Sequence, residues 1–207
     1  MSKDIKDPSL KKPTPAEIGN ATVKSPLFQF FIEGLKDIYW AEQQLLQALP
    51  KMKAATTTNE LKVAIREHLS QTQGHVKRLE KVFAITGQPA EGEICYAMLG
   101  LIKEAESIIE ETEEGSMVRD AAIILAAQKV EHYEIATYGS LTEYAKTLGL
   151  NDAHGLLQLT LDEERMADQG LTLIAQNKIN WEAELEKAPK GDTTQSLKRS
   201  NNNISKN

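Results

Sequence analysis

Four segments of the chain carry apolar side chains at alternating steps of three and four residues, which places them on one face of an α-helix. In each segment this face is apolar at both ends and carries carboxylates or imidazoles near its middle. The first two faces comprise Phe31, Leu35, Ile38, Glu42, Leu45, Leu49 and Met52, and Leu61, Ile65, His68, Thr72, His75, Leu79 and Val82. The other two comprise Ile124, Ala127, Glu131, Glu134, Tyr138, Leu141 and Leu148, and Leu157, Leu161, Glu164, Asp168, Leu171 and Ile174.

Capping and breaking residues set the limits of four long predicted helices. Ser25-Pro26 is typical of a helix start, Gly87-Gln88-Pro89 of a stop, and Pro50 predicts a kink or break within the first helix. The expected spans are about 26–55, 58–86, 116–149 and 151–177.

The connections between these helices predict an all-α, ferritin-like antiparallel four-helix bundle. Helices one and two, and helices three and four, are joined by short links, so each pair should form a hairpin. The longer connection between the hairpins, residues 88–115, carries a short amphipathic helix around Met98–Ile109. In addition, 33 positions separate Glu42 from His75, and the same number separates Glu131 from Glu164. This equal spacing places the polar groups of both hairpins at a similar height along the bundle.

Composition divides the chain into a flexible N-terminal arm (1–24), the bundle (25–177) and a flexible C-terminal tail (178–207). The net charge of −6 argues against a nucleic-acid partner. The sequence shows neither a secretory signal nor an apolar run long enough for a membrane span. Because Cys95 is the single cysteine, no internal disulfide forms, and a reducing, cytoplasmic location is expected.

The polar groups at mid-helix predict a shared metal site. A bare carboxylate buried among aliphatic side chains costs several kcal/mol, and four helices share this feature. A pair of divalent metal ions needs about four carboxylates and two histidines from facing helices. The candidate ligands are five carboxylates and two imidazoles: Glu42, His68, His75, Glu131, Glu134, Glu164 and Asp168.

Other side chains near these positions are candidates for hydrogen bonding to the ligands. These are Asp37, Tyr39, Tyr133 and Tyr138, while Glu67, His132 and Glu163 fall beside the helix faces as flanking or hydrogen-bonding residues. Taken singly, each candidate ligand is also consistent with a structural role, such as a snorkelling glutamate or a satisfied core histidine. The joint occurrence on four helices favours one shared site.

Several short sequence segments resemble those of a known family. They are Leu35-Lys-Asp-Ile-Tyr-Trp-Ala-Glu-Gln-Gln-Leu-Leu, Glu67-His-Leu-Ser-Gln-Thr-Gln-Gly-His, Arg119-Asp-Ala-Ala, Gln128-Lys-Val-Glu-His-Tyr-Glu-Ile-Ala and Leu161-Asp-Glu-Glu. Across about residues 27–175 the chain resembles the YciE/YciF family of ferritin-like proteins. The resemblance implies a ferritin-like four-helix fold, a bacterial cytoplasmic stress-associated protein, homodimers, and kinship to rubrerythrins and manganese catalases.

The resemblance also bears on the ligand set. Glu42, Glu131, Glu134 and Glu164 match the carboxylate positions of the family. The second helix departs from its pattern: Ser70 and Gln71 stand where the family tends to have acidic residues, and the Glu-x-x-His motif common on the second and fourth helices of ferritin-like sites is absent.

Two functions are compatible with these features. One is a di-iron or di-manganese oxidoreductase or ferroxidase-like protein, with two ions per bundle, which handles peroxide, dioxygen or iron under stress. The other is a non-enzymatic, dimeric stress-protective or interaction protein whose polar core is satisfied by internal hydrogen bonds and water. In either case the crossover helix is a candidate contact in the homodimer.

Overall fold

A computed structural model of the chain describes residues 25–187, so the predicted arm (1–24) and residues 188–207 of the predicted tail lie outside the described part. The helices are α1 (Pro26–Ala55), α2 (Asn59–Thr86), α3 (Tyr96–Glu111), α4 (Met117–Thr147), α5 (Asn151–Ile174) and α6 (Asn180–Leu185), with a π-helical segment, Ala175–Ile179, between α5 and α6. Within residues 25–187 there is no strand. The predicted all-α four-helix bundle is confirmed.

The bundle consists of two hairpins and a crossover. Helix α1 packs against α2, α4 packs against α5, and the hairpins meet through α2 with α5 and α1 with α4. The crossover helix α3 covers α4 and part of α1, with Met98 and Ala105 buried. None of the helices described between residues 25 and 187 is both long and apolar enough to span a membrane.

The predicted helix starts follow from local capping. The Ser25 hydroxyl accepts a hydrogen bond from the backbone N–H of Phe28 at 3.1 Å, and Gly87 ends α2 in the left-handed conformation with φ of 68°. Helix α1 runs through Pro50 to Ala55, so the break considered there does not occur. Leu49 and Met52 on either side of Pro50 are buried, and this packing holds the helix together across the missing hydrogen bond.

The C-terminal helical region extends beyond the predicted end near residue 177. Residues 178–185 are helical rather than part of a flexible tail, because Ile179 is fully buried in the core. The Glu186 carboxylate also accepts hydrogen bonds from the free N–H groups of Met117 and Val118, at 2.5 and 3.2 Å. It thereby caps the first turn of α4 and fixes the position of the residues that follow α6.

The four predicted faces form the core of the bundle. Every apolar residue on them is buried except Ile174, which is half-buried. Burial of this apolar surface, at about 25 cal/mol per Å², is the main source of the free energy that holds the polar centre in place.

Two neighbouring residues at the start of α4 connect three parts of the fold. The fully buried Asp120 carboxylate accepts hydrogen bonds from the backbone N–H groups of Thr57 and Thr58, at 2.7 and 2.8 Å, in the α1–α2 connection. The Arg119 guanidinium donates to the carbonyl and the hydroxyl of Thr112, which follows the end of α3. The Arg119-Asp120 pair therefore has a structural role.

We predict that Asp120→Ala lowers the free energy of unfolding by about 2–4 kcal/mol, because two buried N–H groups lose a charged acceptor. Asp152→Ala is a matched control, since Asp152 lies exposed in the first turn of α5 and should cost no more than about 0.5 kcal/mol. Urea denaturation of the two variants measures the difference. Equal losses would contradict the assigned role of Asp120.

Candidate metal centre

Six of the seven predicted ligands converge inside the bundle in two overlapping groups. One group is His68, Glu131, Glu134 and Glu164, and the other is Glu42, His75 and Glu164. Within each group one ligand-type atom of every residue lies within 4.8 Å of the others, and all six side chains are buried. Each of the four bundle helices contributes at least one of these side chains.

Glu164 of α5 belongs to both groups. Its Oε1 lies 3.0 Å from Nδ1 of His75, and its Oε2 lies 3.9 Å from Nδ1 of His68. The two histidines are seven residues apart on α2, which is two helical turns on one face, and their ring centroids are 6.4 Å apart. A single carboxylate therefore spans the space between the two imidazoles.

Most ligand-type atoms of the centre have no hydrogen-bond partner in the protein. Among the described residues, eleven buried side-chain nitrogen and oxygen atoms lack a hydrogen bond of good geometry, and nine of them belong to Glu42, His68, His75, Glu131, Glu134 and Glu164. Two of these nine, Nδ1 of His75 and Oε1 of Glu164, nevertheless lie 3.0 Å apart, within the range of an ion pair. Leaving such a group unsatisfied costs about 1–3 kcal/mol. Carboxylate oxygens and imidazole nitrogens that face one another are a suitable donor set for iron or manganese, so the residues fit a pair of such ions.

Burial and mutual repulsion dominate the electrostatics of two glutamates from α4. Burial, reinforced by the negative charge of Glu164, raises the pKa of Glu131 and of Glu134 well above the ordinary value. Burial likewise raises the pKa of Glu42. Without a cation Glu131 and Glu134 favour the neutral, protonated form, and a bound cation reverses that preference.

The two histidines have opposite protonation behaviour. Burial lowers the pKa of His68, which favours the neutral ring. Burial also opposes a charge on His75, but the adjacent carboxylates of Glu164 and Glu42 outweigh it and raise the pKa of His75 to about 10. Burial opposes a charge on Glu164, but its hydrogen bond with His75 and the positive charge of that ring outweigh it and lower the pKa of Glu164. His75 and Glu164 thus form an internal ion pair.

The orientation of His75 is fixed from outside the cluster. Its Nε2 lies 2.9 Å from the Glu163 carboxylate, which Arg78 holds through two further hydrogen bonds of 2.6 and 2.7 Å. Because the Glu163 carboxylate accepts a hydrogen bond from Nε2–H, the ring is oriented with Nδ1 of His75 towards Glu42 and Glu164. A carboxylate that orients a histidine in this way commonly supports metal ligation. Arg78 was missed in the sequence, although its position three residues after His75 indicates a nearby place on α2.

One of the predicted hydrogen-bonding residues supports the cluster directly. The fully buried Tyr138 hydroxyl donates to Oε1 of Glu42 at 2.5 Å. Tyr39 instead donates to Glu80 at 3.3 Å and packs edge-on against Phe83, so its predicted role towards a ligand is wrong. The Tyr39 ring is held by its contact with Phe83, which lies near the C-terminal end of α2.

Asp37 and Tyr133 also lie away from the ligand cluster. Tyr133 donates to Asp37 at 2.5 Å and contacts the buried Cys95 thiol at 3.1 Å, so the three side chains form a separate group between α1, α4 and the start of α3. Asp37 and Tyr133 thus hydrogen-bond to each other rather than to the clustered ligand side chains.

Asp168 lies at the edge of the centre rather than within either group. Its side chain is 21% exposed, and it accepts a hydrogen bond from Gln128 at 3.0 Å and lies 3.3 Å from Nε2 of His132. These two partners draw the carboxylate towards the bundle surface. Its negative charge still contributes to the raised pKa of Glu131.

We predict that in chelated protein the His75 ring stays charged up to about pH 9 while His68 is neutral at pH 7. Nitrogen-15 NMR of the imidazoles across pH 5–10 measures both titrations. Because the folded-state pKa of His75 exceeds its unfolded value, its contribution to stability is complete below about pH 6.5 and is lost as the pH rises through about 10.

The loss of stability with rising pH should be smaller in His75→Gln and retained in His154→Gln. His154 is a suitable control because it is half-buried on α5 and bonds only a backbone carbonyl, that of Thr142, at 3.1 Å. A His75 ring that titrates near pH 6.5 would contradict the internal ion pair.

Comparison with known proteins places the chain in a family. Protein YciF of Escherichia coli K12 is 46% identical over 155 residues, which cover 74% of this chain and 93% of that protein. The crystal structure of the E. coli stress protein YciF superimposes with a TM-score of 0.71 at 44% identity, covering 76% of this chain and 98% of that one. The structure of YcfI from Rhodopseudomonas palustris gives a TM-score of 0.68 at 43% identity, covering 72% and 94%. Residues 26–184 match the domain of unknown function DUF892, and the chain belongs to this family.

Proposed function

We propose that this protein is a cytoplasmic stress protein that binds two iron or manganese ions in its bundle and acts on peroxide, dioxygen or iron. The observation that carries the proposal is the shared carboxylate of Glu164, which joins two groups of unpartnered ligand atoms. The similarity to the E. coli stress protein YciF supports the link to stress.

The side chains present suit two divalent ions in charge as well as in type. One ion would be held by His68, Glu131, Glu134 and Glu164, and the other by His75 and Glu42, with Glu164 shared. The four carboxylates carry the four negative charges that two divalent cations neutralise. When bound, such ions supply electrons, one from each, to a peroxide or dioxygen molecule.

The protein's own residues manage protons and water around this centre. His75 would give up its Nδ1 proton on ligation, while Glu163 and Arg78 keep the ring in place through Nε2. The Tyr138 hydroxyl donates a hydrogen bond to one oxygen of Glu42, and its ring covers the Glu42 side of the cluster. Aliphatic residues above and below exclude bulk water and strengthen each electrostatic interaction.

The alternative function is a non-enzymatic, dimeric stress-protective or interaction protein without a functional metal site. The charged contacts of His75 with Glu42, Glu163 and Glu164 favour it, because they neutralise part of the cluster without any metal. This alternative leaves both oxygens of Glu134 and both ring nitrogens of His68 without partners, which is why the metal-binding function is preferred.

The deciding experiment is metal analysis of the full chain, purified without a chelator or an affinity metal. The proposal expects about two iron or manganese ions per chain, either as isolated or after anaerobic loading with Fe(II) or Mn(II). If the protein contains neither iron nor manganese as isolated and binds neither after loading, the proposal is contradicted and the non-enzymatic alternative remains.

We also propose a homodimer. Of the apolar side of α3 only Met98 and Ala105 are buried on the bundle. Leu101 is half-buried and lines an open surface depression together with Leu125 of α4, which is 53% exposed. Apolar surface of this kind is suited to contact with a second copy. Light scattering at micromolar concentration measures the state, and a monomer would contradict the dimer without affecting the metal centre.

We predict that Glu131→Gln separates the two functions. Glutamine resembles the neutral form that burial favours for Glu131, so in chelated protein the variant should keep or gain stability. With Fe(II) or Mn(II) at about 100 times the wild-type Kd, it should lose most of the ~2.7 kcal/mol that binding contributes. Thermal melts in both conditions measure this, with Glu143→Gln, an exposed residue of the same helix, as control. Equal shifts with and without metal would count against a ligand role for Glu131.

A further inference from the structure

A cavity of about 270 Å³ lies in the seam between α2 and α5 and reaches one edge of the ligand cluster. His68 and Glu131 line its inner end, with Nε2 of His68 lying 3.4 Å from Oε1 of Glu131. Its wall is mostly aliphatic and comprises Leu49, Ala64, Ile65, Ala127, Ala167 and Leu171. We refer to this space as the seam cavity.

Small residues on the facing helices create the seam cavity. Ala64 of α2 and Ala167 and Gly170 of α5 stand where larger side chains would close the seam. A Cβ atom added at Gly170 would meet no atom within 4 Å, so the space beside that residue is open. Glycine in a helix costs about 1 kcal/mol relative to alanine, and here that cost accompanies an opening towards the centre.

The seam cavity gives access to one end of the cluster only. Glu67 and Met166, which is 59% exposed, stand at its mouth, whereas His68 at its inner end is 6% exposed and neither ring nitrogen has a hydrogen-bond partner. At the other end of the cluster, Tyr138 covers Glu42, and Glu163 covers His75. A molecule that enters from solvent therefore meets the His68–Glu131 edge first.

The size and lining of the seam cavity indicate the ligand class. Hydrogen peroxide and dioxygen are close to water in size and need a few tens of Å³, whereas an apolar cavity of about 150 Å³ already holds benzene. An aliphatic wall with polar groups at its inner end suits an apolar molecule that carries one polar group. Building on the proposed function, we infer that the seam cavity binds small organic hydroperoxides, with the hydroperoxyl group at His68 and Glu131 and the organic group along the wall.

Two divalent ions could supply the electrons that reduction of an organic hydroperoxide requires. Reduction of ROOH breaks the O–O bond, consumes two electrons and two protons, and releases ROH and water. The electrons would come from the two divalent ions of the proposed function, one from each, so that both ions would be trivalent after one ROOH. The protons would come from solvent through the cavity mouth.

The first arm of the test measures binding alone, in chelated full-length protein. The probe is 2-phenyl-2-propanol, the redox-inert alcohol that corresponds to cumene hydroperoxide. We expect a saturable shift of the His68 ring signals in NMR, an affinity at least about tenfold lower in Gly170→Leu, and an unchanged affinity in Gly155→Leu. Gly155 is a matched control because it is an exposed glycine of the same helix with open space around it.

Both substitutions replace glycine in α5 with a better helix former, so neither should impair folding, and far-UV circular dichroism checks this. Gly170→Ala, which adds a single methyl group, should give an intermediate affinity. A probe that does not bind the wild type, or binds Gly170→Leu as well as Gly155→Leu, would overturn the inference.

The second arm compares cumene hydroperoxide with hydrogen peroxide as substrates of protein loaded with Fe(II) or Mn(II). In single-turnover assays, which need no added reductant, we expect Gly170→Leu to lower the second-order rate constant for cumene hydroperoxide at least about tenfold more than that for hydrogen peroxide, since only the larger substrate needs the whole seam cavity. Consumption of hydrogen peroxide alone would overturn the inference and leave the proposed function intact. Consumption of neither substrate would overturn the substrate class together with the peroxide activity of the proposed function, whatever the first arm shows, while the metal analysis tests metal binding separately.

Discussion

Burial of four carboxylates and two imidazoles at the centre of the bundle is the constraint on which the rest of the structure depends. An unpaired charge in such surroundings costs several kcal/mol, and the whole domain is stable by only about 5–15 kcal/mol. The chain reduces this cost by making His75 a cation beside Glu164 and by favouring the neutral forms of Glu131 and Glu134. Apolar layers on both sides of the centre supply the remaining stability, together with the hydrogen bonds that the Asp120 and Glu186 carboxylates accept from backbone N–H groups.

Much of this arrangement could be predicted from the sequence because helical periodicity determines which side chains face inward. Glu42, His68, His75 and Glu164 occupy positions that would otherwise hold leucine or isoleucine, and the equal separations in the two hairpins place them at one height. The helix limits followed from Ser25, Gly87 and similar residues, whose conformational preferences act locally. Local signals and a regular spacing are sufficient for the fold and for the clustering of the six side chains.

Periodicity does not give the direction of a side chain or its choice among partners. Asp168 follows the inward face of α5, yet Gln128 and His132 draw it to the edge of the centre. Asp37 and Tyr133 are near the right positions but bond to each other. The pair Arg78–Glu163 links residues 85 positions apart on helices of different hairpins, so it depends on how the hairpins dock, which no local pattern records. The extension to residue 185 depends likewise on a tertiary contact, that of Glu186 with α4.

The distribution of ligand types between the two hairpins has a consequence for assembly. Both imidazoles of the cluster lie on the α1–α2 hairpin, whereas the α4–α5 hairpin supplies only carboxylates. Two copies of the second hairpin would therefore bring like charges together with no imidazole between them, and two copies of the first would lack most of the acidic partners. As the chain folds, each hairpin can form by itself through local contacts, but a buried centre of balanced charge arises only when unlike hairpins meet. The charge balance of the polar centre thus favours the pairing of unlike hairpins, whether or not the centre binds a ligand.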